Sequence, residues 1–199
     1  MLTKPNILRL VTYILFFAAA LYWPVNKVLK FERPAVPPVE MRFRVTAHDP
    51  YDPMRGRYLR LRVDCPVKEG VKSPAGYSRN LVENVTAVLE KDEAGFAVVS
   101  ALLKRNDTPP ADKPFVKDTT PGFGWVAEEK RISGVLMPFD RFFLNEPLAK
   151  DAEKLLRKVT RDPKRSAVLV VDIHRDGNWA VKELLIDGKP ILEVLRGTK

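Results

Sequence analysis

DPYDPMRGRYLRLRV, residues 49–63, gathers the groups most able to do chemistry. Asp49 and Asp52 each precede a proline, and Arg55, Arg57, Arg60 and Arg62 follow within a few residues. Neighbouring carboxylates could serve acid–base hydrolysis, with Glu146 as a further carboxylate. Clustered guanidinium groups could hold an anionic polymer or lipid. The rest of the chain does little to complete a catalytic centre. Nucleophilic catalysis needs a base beside the nucleophile. The only histidines, His48 and His174, share no motif with Ser73, Ser78, Ser100, Ser133 or Ser166. No G-x-S-x-G elbow, P-loop or G-x-G-x-x-G fingerprint is present. A signal-peptidase loop wants a serine where Asp52 stands.

Two loose sets of metal-ligand types occur, Asp172-x-His174-x-Asp176 and His48 with Asp49 and Asp52. Turn chemistry explains Asp176, Asp49 and Asp52 more simply, since Asp before Gly or Pro caps a turn. Cys65 is the single cysteine, which excludes an intramolecular disulfide and a cysteine zinc cluster. It lies between Asp64 and Pro66, a setting that disfavours a thiolate. No catalytic, cofactor-binding or metal-binding residue is therefore assigned, and no cofactor is expected. The Asp-Pro loop reads first as a sharp turn. Pro50 and Pro53 fix φ, Asp49 and Asp52 cap backbone N–H groups, and Gly56 supplies conformational freedom before a strand.

The elements that must position these groups are mostly strands. The chain has 199 residues, 17 of them proline, a density that opposes long helices and favours short strands. MRFRVTAH alternates at Met41, Phe43 and Val45, and RYLRLRVD at Leu59, Leu61 and Val63 with arginines between. Tyr58 and Leu61 have odd spacing, so either a bulge intervenes or the strand is buried on both faces near Tyr58. Residues 84–105 read as a hairpin turning at Asp92-Glu93-Ala94-Gly95. A proline-rich loop is expected from Thr108 to Pro121, then one or two strands in RISGVLMPFDRFFL. Residues 166–191 read as strand, Asp176-Gly177-Asn178 turn, strand and a second turn at Asp187-Gly188.

One helix is expected over 145–159, with Asn145 as N-cap and Pro147 in its first turn. Its apolar stripe is Leu148, Ala152, Leu155, Leu156 and Val159. The expected class is mainly β, a β-rich α+β domain. It would form an antiparallel sheet, a sandwich or a partly closed barrel, with one helix in the C-terminal half and one transmembrane helix ahead of it.

LVTYILFFAAALYWPVN, residues 10–26, carries no charge. With Ile7 and Leu8 it reaches roughly 20 residues, enough to span a bilayer. Arg9 can snorkel at one end, and Tyr22 and Trp23 suit a headgroup region at the other. The residues after Ala18-Ala19-Ala20 make a poor exit from a signal-peptide cleavage site, which favours an uncleaved signal anchor. The expected organisation is an anchor over 1–30, a semi-rigid spacer over 31–38 (FERPAVPP) and a β-rich domain over 39–199. A short tail before a first apolar segment is expected to leave the N-terminus inside and the domain on the extracytoplasmic side of the cytoplasmic membrane. The net charge is +9, of which residues 1–33 supply +4 through Lys4, Arg9, Lys27, Lys30 and Arg33 against Glu32. The remainder is spread along the chain, which fits a solvated surface rather than a nucleic-acid face.

The sequence also resembles the GDYXXLXY-domain proteins, small bacterial membrane-anchored proteins. Gly56, Tyr58 and Leu61 fall on the Gly, Tyr and Leu of that motif, while Arg57 stands for its aspartate and Val63 for its last tyrosine. RFFLNEPLAKDAEKLLR, containing Asn145 and Glu146, and VKELLIDGKPI are similar to two further family segments. The resemblance implies no established activity, and it implies company with multi-span membrane proteins. The expected function is a non-enzymatic accessory or interaction subunit of an integral membrane partner. The rival readings are an envelope hydrolase using Asp49, Asp52 or Glu146, and a binder of anionic envelope polymer or lipid. The residues of interest are Asp49, Asp52, Arg55, Gly56, Arg57, Tyr58, Arg60, Leu61, Asn145 and Glu146.

Overall fold

The computed structural model describes residues 4–32, 36–47, 58–71, 84–126 and 129–197. The chain divides into two compact units, 1–37 and 38–199.

The first unit is built on one helix, α1 (Lys4–Glu32). Its segment Val11–Leu29 has 19 residues and a mean hydropathy of 1.2, long and apolar enough to cross a membrane. None of that segment is buried within the protein, so Ile14, Phe16, Phe17, Leu21 and Trp23 all present their side chains outward. Lys27 lies one turn beyond Trp23 with its Nζ 5.2 Å from the ring centroid. Pro24 sits inside the helix, which continues past it to Glu32, beyond the anchor boundary expected at residue 30.

The second unit is β-rich and its strand ladders are antiparallel. One sheet orders β1 (Val39–Arg44), β10 (Ala167–Ile173), β11 (Trp179–Ile186) and β12 (Lys189–Pro190). A second orders β2 (Thr46–Ala47), β3 (Tyr58–Arg62) and β9 (Arg141–Phe143). A third orders β4 (Asp64–Pro66), β8 (Glu129–Leu136), β7 (Phe115–Val126), β5 (Val85–Lys91) and β6 (Ala97–Leu103). The helices are α2 (Glu146–Arg161) and α3 (Ile191–Gly197). Among the described residues the sheets form no closed barrel.

Short alternating runs hand the chain from sheet to sheet. β1 pairs with β10 up to Arg44, and Val45 still donates its N–H to the Ala167 carbonyl before β2 leaves to join β3. The run 58–66 keeps one alternation throughout: Leu59, Leu61, Val63 and Cys65 are buried, and Arg60, Arg62 and Asp64 are exposed. It pairs first with β9 and then, past Val63, with β8. RISGVLMPFDRFFL accordingly forms two strands, parted around Pro138, a residue unable to donate to a ladder. The bridge between them is made by Met137 N–H to the Val63 carbonyl and Leu61 N–H to the Asp140 carbonyl.

One core unites the three sheets and both helices. Phe139 is completely buried and makes edge contacts with Phe43 of β1 at 4.9 Å and Trp179 of β11 at 5.3 Å. The helix α2 contributes Ala152, Leu156 and Val159 to this core, as its apolar spacing demands, and lies over β2 and β3. Central strands β5 and β10 are buried over most of their length, which is why they read as near-continuous apolar runs.

The expected hairpin turns are present. Asp92 accepts the Phe96 N–H at 2.7 Å in the β5–β6 turn. Asp176 accepts the Asn178 N–H at 3.0 Å in the β10–β11 turn. Asp187 and Gly188 both have positive φ, 50° and 80°, the conformation of a two-residue β-turn matched to strand twist. Two expectations are corrected. The second half of the expected loop 108–121 is strand, since β7 begins at Phe115. Pro121 is tolerated there because, among the described residues, pairing with β5 ends at Thr119, so the missing N–H costs no bond to β5. The expected single helix of the C-terminal half is two: α3 docks Ile191 and Leu195, one turn apart, into the core.

Candidate functional site

The family-like segments meet in space. β3 and β9 pair antiparallel in the register Tyr58 with Phe143, Leu59 with Phe142 and Arg60 with Arg141. Strand alternation decides what each face carries. Leu59 and Leu61 point into the core, and Phe142 packs against it. Tyr58, Arg60 and Arg62 share the other face with Arg141 and Phe143. β3 contains no bulge; Tyr58 lies on the face opposite Leu61 and is half-buried there by its cross-strand neighbours.

Those neighbours form a compact aromatic and arginine cluster. The Tyr58 and Phe143 rings are 6.0 Å apart between centroids and inclined at 60°. The Arg141 guanidinium lies 5.2 Å from the Tyr58 ring centroid, a cation–π position. Arg60 and Arg141 are directly opposite in the ladder, where like charges repel. Asp140 relieves this by reaching both, 3.6 Å to Arg60 Nε and 3.5 Å to Arg141 Nε. Arg62 approaches Asp64 at 3.6 Å. All these ion pairs are substantially solvated, so each contributes at most about 1 kcal/mol. Phe143 is 71% exposed, much the most open large apolar side chain of the second unit among the described residues.

Asn145 and Glu146 follow β9 at once. Asn145 occupies the N-cap position of α2 with φ −63° and ψ 139°, but its side chain makes no capping hydrogen bond. Its carbonyl accepts the N–H groups of Leu148 and Ala149 instead. Glu146 opens the helix, and its side chain lies outside the described residues, as do Asp49, Asp52, Arg55, Gly56 and Arg57. Of the expected residues, the structure therefore places Tyr58, Arg60, Leu61 and Asn145. Asp140, Arg141 and Phe143 complete the face. The sequence signal for them was the RFF run, which has meaning only once β9 is paired with β3.

Three other reactive side chains, Asp176, Cys65 and Ser100, have structural employment. Asp176 binds Asn178 through both carboxylate oxygens, Oδ2 accepting Nδ2–H at 2.6 Å. Burial raises its pKa, but the Asn178 hydrogen bonds outweigh that and hold it below the usual carboxylate range. Cys65 is buried with Sγ 3.3 Å from the Ala97 carbonyl. Burial, with Asp64 adding to it, pushes the thiol up to about 12, which leaves it protonated and a weak nucleophile. Ser100 donates to the Val88 carbonyl across β5 and β6.

No curated protein and no solved structure matches the chain. Residues 32–184 match the family model described as GDYXXLXY protein, a span that runs through β1, the β3–β9 face, α2 and most of β11. With that match extending over most of its length, the chain belongs to the GDYXXLXY protein family.

Proposed function

We propose that this chain is a membrane-anchored docking subunit. In this reading α1 spans the cytoplasmic membrane with the N-terminus inside, and the β-rich unit works on the extracytoplasmic side as the non-enzymatic accessory of an integral membrane protein. The outer face of β3 and β9 supplies the contact. The observation that carries the reading is Phe143, 71% exposed beside Tyr58 and Arg141. Exposed aromatic and arginine side chains held rigidly on a sheet have the composition of interface hot spots. Their apolar bodies gain by burial, and their guanidinium groups find carboxylates or carbonyls on a partner.

The test is a photoreactive phenylalanine analogue at position 143, irradiated in intact membranes. A reproducible adduct with one multi-span protein is the expected result; labelling of lipid alone, or of no consistent protein, sinks the proposal. A reporter fused after Lys199 reads the side of the membrane. The hydrolase alternative is separated by replacing Asp49, Asp52 and Glu146 with alanine together. On the docking reading, that variant still rescues a deletion strain.

A further inference from the structure

We propose that the solvent face of α2 docks on the anionic headgroups of the bilayer that α1 enters. Lys150, Lys154, Lys158 and Arg161 are all exposed. At about 100° per residue they fall within an arc of about 80°. Ala152, Leu156 and Val159, all buried, occupy the opposite side of the same helix. The helix is thus fixed to the core by one face and presents a narrow basic ridge on the other. Arg157 stands at the edge of that ridge but is engaged by Glu153 at 2.7 Å. Among the described residues, Lys154, Lys158 and Arg161 close no ion pair.

Complementing the helix dipole explains basic residues in the last turn, here Lys158 and Arg161. It does not explain Lys150, in the first half of α2, or Lys154, near its middle; both lie ahead of the last turn. A ridge spread over the full length of the helix matches an extended anionic surface better than a single bound anion. A bilayer is the extended anionic surface that this chain meets if α1 anchors it, and tethering makes even a weak contact effective. The inference rests on α1 as the anchor, and the experiment below separates the two.

The probe is Asp151→Cys, an exposed position beside the ridge. Native Cys65 is buried and does not compete for a thiol reagent. The full chain is reconstituted into phosphatidylcholine bilayers with and without phosphatidylglycerol, and maleimide labelling of position 151 is timed. Labelling is expected to slow in the anionic bilayer and to recover in about 1 M salt, where screening reaches only about 3 Å. Lys154→Gln is expected to weaken the protection about fivefold, the equivalent of about 1 kcal/mol per basic residue near such a surface. Its circular dichroism should match the parent, because residue 154 is exposed.

Equal labelling rates in the two bilayers overturn the proposal. So does protection by soluble polyphosphate in pure phosphatidylcholine, which assigns the ridge to a polymer. Flotation with pure phosphatidylcholine vesicles reads the anchor alone. If that fails while anionic bilayers still protect position 151, the ridge stands without the anchor.

Discussion

Tyr58 and Phe143 face each other across β3 and β9 with ring centroids 6.0 Å apart, yet one is half-buried and the other largely open. Their substitutions should therefore separate stability from recognition. Phe143→Ala loses only that cross-strand pair from an exposed position and is expected to cost no more than about 1 kcal/mol. Tyr58→Ala loses a cross-strand aromatic pair and the Arg141 contact, and is expected to cost about 1–2 kcal/mol. Thermal melts check the stabilities. Capture of the membrane partner should fall for both variants.

Phe139 joins β1 to β11 through Phe43 and Trp179 and is fully buried. Phe139→Ala is expected to destabilise the unit by about 3–5 kcal/mol, since the cavity lies where two strands and the β8–β9 connection converge. Denaturant titration followed by tryptophan fluorescence measures it, with Trp179 as a local reporter.

Gly177 and Gly188 share a φ of 80° but not their surroundings. A Cβ at Gly188 meets open space, whereas one at Gly177 runs into the Phe115 ring from β7. Gly188→Ala should cost about 1–2 kcal/mol, for the left-handed backbone alone. Gly177→Ala should cost at least about 1 kcal/mol more through overpacking. Equal melting temperatures for the two variants would contradict this packing of the β10–β11 turn.

Glu90 receives hydrogen bonds from Lys113 at 2.7 Å and Lys68 at 3.2 Å. These hold its pKa down from 4.5 to about 2. A carboxylate depressed in the folded state stabilises fully above its unfolded pKa and loses that contribution as the pH falls through the folded value. Glu90→Gln should therefore be less stable than the parent near neutrality. The difference should shrink from pH 4.5 downwards and vanish near pH 2. Parallel melts across that range decide it.

Cys65, buried with its thiol pushed up to about 12, should resist thiol reagents in the folded unit at pH 8. Labelling should appear in step with global unfolding in denaturant. Reaction under native conditions would show that β4 opens locally from β8.

Local chemistry made much of this architecture legible in the sequence. Asp-Gly pairs announced the β10–β11 and β11–β12 turns, because few other residues accept that geometry. The spacing of Leu148, Ala152, Leu156 and Val159 announced α2, observed over Glu146–Arg161 against an expected 145–159. The failures have a common cause. β7 begins within a proline-rich stretch because tertiary pairing to β5 outweighs composition. α3 is too short for its two buried residues to make a periodic signal. The face of Tyr58 follows from pairing with β9, a partner distant in sequence. No local pattern names a distant partner strand. For the same reason the arginine and aromatic cluster was visible in pieces and not as a surface.

The pairing of β1 with β10 has a consequence for how the unit is made. β1 leads the unit from Val39, and its ladder neighbour ends at Ile173, close to the C-terminus. Met41 and Phe43 thus lack their ladder partners, Val171 and Leu169, until β10 has been synthesised, so β1 completes its sheet only after the strands between. Removing residues after Pro163 should therefore destabilise the unit, which thermal melts would read, because β1 would lose its ladder partner.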